Sequence, residues 1–499
     1  MGRRHAVRVL GLLGALLCAQ QTHAQVGLNN LWTGGYASWA GPPNGGLDID
    51  FYSGTREMSY VDRAIGFRHS SANISNEAGI VQVMTNSVFV ADANGDTLMN
   101  GTGINPSNYT SNSSPDGLVI PQLAVILPKP EAPGIYYMIH GTLDNEQTIT
   151  AQYLYLSVID MSLNGGLGAV TIKNQVLIDD ALNEGKITAV RHANGRDWWV
   201  FCHKAFSTSY YRLLATPSGV NVDGTQSIGT YRPEDAGQTC FSPDGTKYAY
   251  YWGIEDLDIL DFDRCTGLFS NPVHVDIDDY NTSGGVAFSP DSRYLYVSSV
   301  RDAYQFDTEA ADIASSMVHI AHWDGFYSPF DPFATLFGLS QLANDGKVYM
   351  STGNSTFHLH VIHDPDAGGL ACNMEQHGVE LPVWFSNSLA NHPNYHLGPV
   401  DGSLCDSLGI NVGVAEAVLE QAVQVYPNPS AGVFTVQYAA QPAAGVLEVR
   451  DLAGKLVLHE RLPAWSQVHA VQLAGAAGIY HCTLRWGAQR VNARIILEE

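Results

Sequence analysis

Apolar and polar residues alternate over short runs through most of this chain, and turn chemistry breaks the runs at regular intervals. That is the pattern of half-buried strands in antiparallel pairs. Six segments share one layout: a short strand, a tight turn rich in Gly, Asp or Pro, then an apolar strand heavy in Tyr, Trp and Val. They are NEAGIVQVMTN from Asn76, KPEAPGIYYMIHG from Lys129, HANGRDWWVFCHK from His192, FSPDGTKYAYYWG from Phe241, FSPDSRYLYVSSV from Phe288 and ANDGKVYMSTGN from Ala343. Each is followed by a further strand ending in a polar turn, as in ILDFDRCTG and YQFDTEAAD. The copies recur at roughly 45–65 residues, the length of a four-stranded propeller blade with some long loops. Long helical periodicity is absent.

One twisted four-stranded sheet cannot bury both faces, whereas blades stacked around an axis bury each other's faces and leave only short edges. The expected fold is therefore all-β, a seven-bladed β-propeller over residues 25–413 followed by a small Ig-like β-sandwich. Six and eight blades are the alternatives. The seventh blade is expected from ring closure: strands around Leu31–Trp39 and Leu47–Tyr52 would join late strands near Pro382–Phe385 and Tyr395–Leu397.

The sandwich is expected over residues 423–499, where VQVYPNPSAGVFTVQY, VLEVRDLAGKLVLHERL and AGIYHCTLRWGAQRVNARIILEE alternate cleanly between turns. Residues 414–422 read as its linker. YPNPSAGVF, with Tyr426, Pro427, Asn428, Pro429 and Gly432, the turn from Asp451 to Gly454, the Gly478-Ile-Tyr480 strand start and a basic residue in the last strand resemble the type A C-terminal sorting domain of the type IX secretion system. The last strand carries Arg494 where such domains usually have Lys. The resemblance implies the type IX machinery as a partner, an extracellular or outer-surface destination, and removal of the domain after translocation.

The other end of the chain agrees. Arg3, Arg4 and Arg8 precede an apolar run from Val9 to Ala19, and Ala24-Gln25 follows as a small-residue cleavage point. Residues 1–24 therefore read as a secretory signal peptide. No stretch approaches the roughly 18 uninterrupted apolar residues of a spanning helix, so no transmembrane segment is expected.

FSPDG followed by an aromatic strand resembles the blades of WD-repeat-like and TolB-like propellers. DFDRCTG, GGVAFSPDSRYLYVSS, YQFDTEAADI, CNMEQHGVELP from Cys372 and HPNYHLGP from His392 together resemble a family of exported propellers with type IX sorting domains. That resemblance implies architecture and destination, and no reaction.

The formal net charge is −24, and the acidic excess lies between the two ends. Such a surface repels nucleic acid and anionic membranes and suits cationic partners or divalent ions. Export permits disulfides. Cys372–Cys405 is the first expected pair and Cys202–Cys240 the second, which leaves Cys265 and Cys482 unpaired. With Cys18 in the expected signal peptide set aside, six of the seven cysteines remain and allow fifteen connectivities, so other pairings stay open.

A propeller binds ligands where its loops converge at the channel mouth. His358 and His360 sit two apart on a strand and so share a face, a pairing suited to a divalent metal. His319 and His322, beside Trp323, offer a weaker version of the same arrangement. VDIDDYN, with Asp276 and Asp278, and ADANGDT from Ala91 place carboxylates in turns of the kind calcium favours, without the twelve-residue EF-hand pattern. In each case an ordinary solvated histidine or acidic turn explains the residues as well, and no cofactor is expected beyond calcium at such a turn. No G-x-S-x-G elbow, HExxH or P-loop is present. The chain therefore reads as a binding protein for a protein or glycan ligand more readily than as an enzyme, and whether it is an enzyme stays open. A metal-dependent propeller hydrolase or lactonase, and a structural or adhesion role, are the alternatives.

Overall fold

A computed structural model describes residues 27–144, 150–233, 235, 237–279, 284–406, 423–487 and 489–498. The proposed signal peptide with Ala24-Gln25 and the proposed linker 414–422 lie outside the described residues.

Seven antiparallel sheets follow one another along the chain, at 31–61, 72–91, 124–183, 188–232, 238–275, 285–322 and 340–386. We refer to them as blades I to VII. Blades I and II have three strands and the rest four, in simple meander order. Each shared core lies between neighbouring blades. Phe201, Tyr210, Tyr248, Phe262 and Phe269 fill the space between blades IV and V, and Ala249, Leu257, Val286, Leu295 and Phe306 that between V and VI.

The repeated turn that marks the sequence has a repeated geometry. In blade V Ser242 Oγ donates to Asp244 Oδ1 at 2.6 Å and accepts from Lys247 N at 2.9 Å. In blade VI Ser289 Oγ does the same with Asp291 at 2.6 Å and Tyr294 N at 2.8 Å. The residue after the acid turns the chain through positive φ, +72° at Gly245 and +78° at Gly346, where glycine pays no Cβ penalty. Ser292 takes the same conformation at +67°, and its hydroxyl accepts from Asp244 N of the preceding blade at 3.1 Å.

Ring closure differs from the expected strand exchange. Leu31–Tyr36 pairs with Gly45–Asp50, and Gly45–Asp50 with Glu57–Val61, in a sheet of their own. Blade VII keeps Met374–Ser386 as its own outer strand. The seam closes by side-chain packing: Trp32, Leu47, Ile49 and Phe51 of blade I pack against Tyr349, Leu359, Leu381, Val383 and Phe385 of blade VII. Tyr395–Leu397 is not a strand. Residues 387–399 instead run down the axis inside the ring. Asn391 N donates to Ser71 O at 3.0 Å. Its side chain donates to Ala124 O and Ile187 O at 2.9 and 2.8 Å. His392 Nε2 donates to Asn73 O at 2.8 Å, Tyr395 Oη to Ile126 O at 2.7 Å, and Asn394 Nδ2 to Pro243 O at 2.7 Å. These partners belong to blades II to V, so one stretch of chain satisfies buried backbone groups around the axis that would otherwise need water.

After the axial run the chain is pinned by a Cys265–Cys405 disulfide. The expected Cys372–Cys405 and Cys202–Cys240 pairs do not form. Cys202, Cys240, Cys372 and Cys482 are free thiols. Cys372 and Cys202 are buried among blade residues, whereas Cys405 emerges beside the turn after Asp263, where Cys265 waits.

The last seven strands form two sheets, of three and four strands, around Phe434, Val436, Leu447, Val449, Tyr480, Leu484 and Ile495. This is the expected sandwich. It seats on the face of the ring that carries the Ser-x-Asp turns. Thr435 Oγ1 donates to Ser53 O at 2.7 Å, and Arg461 pairs with Asp366 at 2.9 Å. A Cβ on Gly346 would lie 2.4 Å from Pro463 Cγ.

Candidate functional site

Three places in the ring bear on function: the axis, the face opposite the sandwich, and the rim of blade VI.

The axis is largely filled. Gln122 exchanges two 2.9 Å hydrogen bonds with the backbone of Thr239. Gln238 bridges to Ser340 O, Ser340 N and Val286 N at 2.7 to 3.0 Å. A cavity of about 90 Å³ remains, lined by first-strand residues such as Val190, Thr239 and Leu342, by Asn391 and His392, and by Trp465 of the sandwich. Burial lowers the pKa of His392 and His396 to about 4, so both imidazoles are neutral at neutral pH. The axial position is thus taken by an amide and a neutral imidazole of the chain itself.

The opposite face carries the loops that join one blade to the next. The loop between blades VI and VII, residues 323–339, displays Phe326, Tyr327 and Phe330, the last 63% exposed. Phe326 stacks on His377 with ring centroids 4.2 Å apart. Phe333 leans on Trp384 at 5.3 Å, and Arg301 sits over Trp323. Trp384 N donates to Pro43 O at 3.0 Å, which links this aromatic patch to the blade I hairpin bearing the exposed Trp39.

The predicted metal pair is placed, and three of its four ring nitrogens have protein partners. His360 is fully buried: Nε2 donates to Leu336 O at 3.0 Å and Nδ1 accepts from His377 N at 2.9 Å. Burial takes its pKa down to about 4. His358 Nδ1 meets Ser328 Oγ at 2.7 Å. Asp276 is 93% exposed at its side chain and lies 3.2 Å from His274, and Asp278 is exposed. In the turn from Ala91, Asp92 Oδ1 accepts from Asn94 N and Asp96 N at 2.8 and 3.1 Å, an ordinary Asx turn.

Asp302, His319 and His322 are the only group of three His, Cys, Asp or Glu among the described residues whose ligand atoms all lie within 4.8 Å of one another. His319 and His322 stand out in the sequence, but Asp302 does not. On a regular strand residues three apart face opposite sides, so nothing in the spacing points to a common partner.

The sorting-signal residues sit together at one end of the sandwich. Asn428 Nδ2 donates to Arg494 O at 2.8 Å and its Oδ1 accepts from Ile496 N at 2.9 Å, so the Pro427-Asn428-Pro429 bend is tied to the final strand. Tyr426 ends the strand before it, and Gly432 follows at φ +106°. Asp451 Oδ1 accepts from Ala453 N and Lys455 N at 2.9 Å and sets the turn that Gly454 completes at φ +81°. Tyr480, two residues after Gly478, donates to Ala476 O at 2.8 Å.

Residues 424–498 match the family described as Secretion system C-terminal sorting domain. No curated protein matches the chain in sequence. Among solved structures, the chain is similar to a proposed 6-phosphogluconolactonase from Bacteroides fragilis, at 11% identity over 73% of this chain and 97% of that one, with a TM-score of 0.45. It is also similar to the Dos1 propeller, at 10% identity, 66% and 91% coverage and a TM-score of 0.37. The gluconolactonase of Xanthomonas campestris follows at 12% identity, 59% and 86% coverage and a TM-score of 0.31. The sorting domain fixes the destination and the stacked sheets fix the fold: the protein is a β-propeller carrying a type IX secretion sorting domain, exported to the cell surface or the extracellular space.

Proposed function

We propose that the protein is an extracellular binding propeller that takes a macromolecular ligand, protein or glycan, on the face opposite its sorting domain. The observation that carries this reading is the grouping of exposed aromatics at Phe326, Tyr327 and Phe330 on that face, since apolar residues grouped together on a surface mark interaction sites where scattered single ones do not. Aromatic side chains supply large, low-entropy contact area and dominate binding energy at interfaces. The sandwich covers the other face and the chain's own residues 387–399 fill the axis, so this face is the one left open for a large partner.

The test is binding of the purified protein to a glycan microarray and to outer-surface fractions of the producing cells, compared with a Tyr327→Ala/Phe330→Ala variant. Loss of binding by about tenfold or more, the size expected for removing interface anchors, with an unchanged melting temperature, supports the reading. Binding that persists undiminished in the variant overturns it. Turnover of a lactone or ester panel by the unaltered protein would favour a hydrolase instead.

A further inference from the structure

The strand Val318–His322 is not regular. Its partner strand pairs Ala303 with Ala321 and Tyr304 with His319, which leaves Ile320 without an opposite number. This is a β-bulge, a device that re-aims side chains. Ile320 turns inward and is buried, while His319 and His322, which would face opposite sides of a regular strand, both swing to Asp302. Asp302 stands directly across from His322. His319 Nε2 lies 2.8 Å from Asp302 Oδ1, and His322 Nδ1 lies 2.7 Å from the same oxygen.

We propose that Asp302, His319 and His322 form a binding site for a divalent transition metal of the zinc type on the rim of blade VI. Imidazole nitrogen with one carboxylate suits zinc and its neighbours and not calcium, which takes oxygen ligands. Three protein ligands with the fourth position open is the arrangement of an accessible zinc centre. The two histidines are half or more exposed and Asp302 less so, so an ion can reach the site from solvent. At zinc–ligand distances of about 2.0–2.2 Å, tetrahedral geometry separates ligand atoms by roughly 3.3 Å, so the carboxylate must withdraw by about half an ångström. The surroundings favour a cation. Tyr304, paired with His319, donates to Asp279 at 3.3 Å from the acidic loop that also holds Asp276 and Asp278. The Arg301 guanidinium, next to Asp302 in the chain, lies over the Trp323 ring, where its charge works against the ion. The site lies beside the aromatic loop, since Trp323 follows His322 directly, but its existence does not depend on what that loop binds.

The experiment is metal uptake by the purified full-length protein, stripped with chelator and dialysed against micromolar zinc chloride, with cobalt chloride as a spectroscopic probe. One equivalent of zinc is expected, with cobalt giving the visible absorption of a low-coordinate, nitrogen-containing site. His319→Gln and His322→Gln keep a donor for Asp302 while removing the imidazole, so the fold is preserved. Each should weaken zinc binding by at least about tenfold, since even outer-shell changes cost 10–100-fold. His358→Gln, on blade VII, should leave the stoichiometry unchanged. No zinc uptake by the unaltered protein, or full uptake by the His319→Gln/His322→Gln double variant, overturns the assignment.

Discussion

Gln467 of the sandwich reaches His396 at the foot of the axial run, with Nε2 and Nε2 2.7 Å apart. Beside them Trp465 packs against the core between blades IV and V that includes Leu397, and both line the axial cavity. The sandwich is thus more than an appendage to the ring: it covers the exit of the segment that holds the ring's centre together. Ending the chain at residue 422 should abolish export, read as loss of the protein from the cell surface and medium. Sequence pattern alone argues that the ring should melt unchanged without its tail. The hydrogen bonds and ion pair at Gln467, Arg461 and Thr435 argue otherwise. A truncated ring should still fold cooperatively but melt about 1 °C lower for each kcal/mol that the seated sandwich supplies, since the unfolding entropy of about 2.1 cal/mol/K per residue grows with the size of the ring. An unchanged calorimetric melting temperature would show that the seat contributes nothing.

The Cys265–Cys405 bond closes a loop of 140 residues and fixes the end of the axial run to the turn after Asp263. Arg264 strengthens the same anchor by donating to Arg191 O at 2.8 Å and to Gly398 O at 2.5 Å. Replacing both cysteines by serine should cost about 2–5 kcal/mol, the range for natural disulfides in exported proteins. Cys372→Ser should introduce no such loss through a broken bridge. Equilibrium unfolding with and without reductant separates the two: only the protein with Cys265 and Cys405 should respond to reduction.

Much of this was legible in the sequence, and the failures share a cause. The six repeat turns found their blades because Ser242-x-Asp244 and Ser289-x-Asp291 are local devices whose hydrogen bonds close within five residues. The sorting domain was legible because Asp451 sets a local turn and the Pro427-Asn428-Pro429 run is distinctive in itself, although Asn428 bonds to the distant final strand. What escaped was packing between segments far apart in the chain. Nothing local says that His392 and Tyr395 descend the axis instead of joining a sheet, and without that path Cys405 cannot be assigned to Cys265. Asp302 escaped because one bulged residue, Ile320, reverses the expected facing of its two histidines.

The buried histidines predict an acid limb to stability. His140, His360, His392 and His396 are neutral in the fold because burial lowers their pKa, to about 3 for His140 and about 4 for the other three. Unfolded, each titrates near its ordinary value of about 6.5. Between about pH 6.5 and 4 the unfolded chain therefore binds more protons than the fold, and stability falls as pH falls through that window. His392→Gln, which can still donate to Asn73 O, should flatten the decline. The melting temperature should be measured every half unit from pH 8 to 4. A decline that starts only below pH 4.5, where carboxylates take over, would show that these imidazoles are not buried as described.

Asp366 should act in the opposite sense. It is almost fully buried at the seat of the sandwich, where Asp291 N donates to its Oδ1 at 2.9 Å and Arg461 meets Oδ2 at 2.9 Å. Desolvation first, then hydrogen bonding and repulsion from the Asp291 carboxylate, raise its pKa to about 7, although Arg461 pulls it down. The unfolded value is near 3.8. Between those values the fold holds a proton that the unfolded chain releases, so this group's contribution falls as pH rises from about 4 to 7 and stays at its minimum above that. Asp366→Asn keeps the acceptor for Asp291 N and removes the charge. The variant should melt higher than the parent at pH 8, by about 1–3 °C for a protein of this size, and equal it near pH 5. Removing Arg461 instead, by Arg461→Gln, should lower the melting temperature at pH 8 and leave it unchanged near pH 5. If Asp366→Asn lowers the melting temperature at pH 8, the Arg461 pair outweighs desolvation and the carboxylate is ionised in the fold at neutral pH.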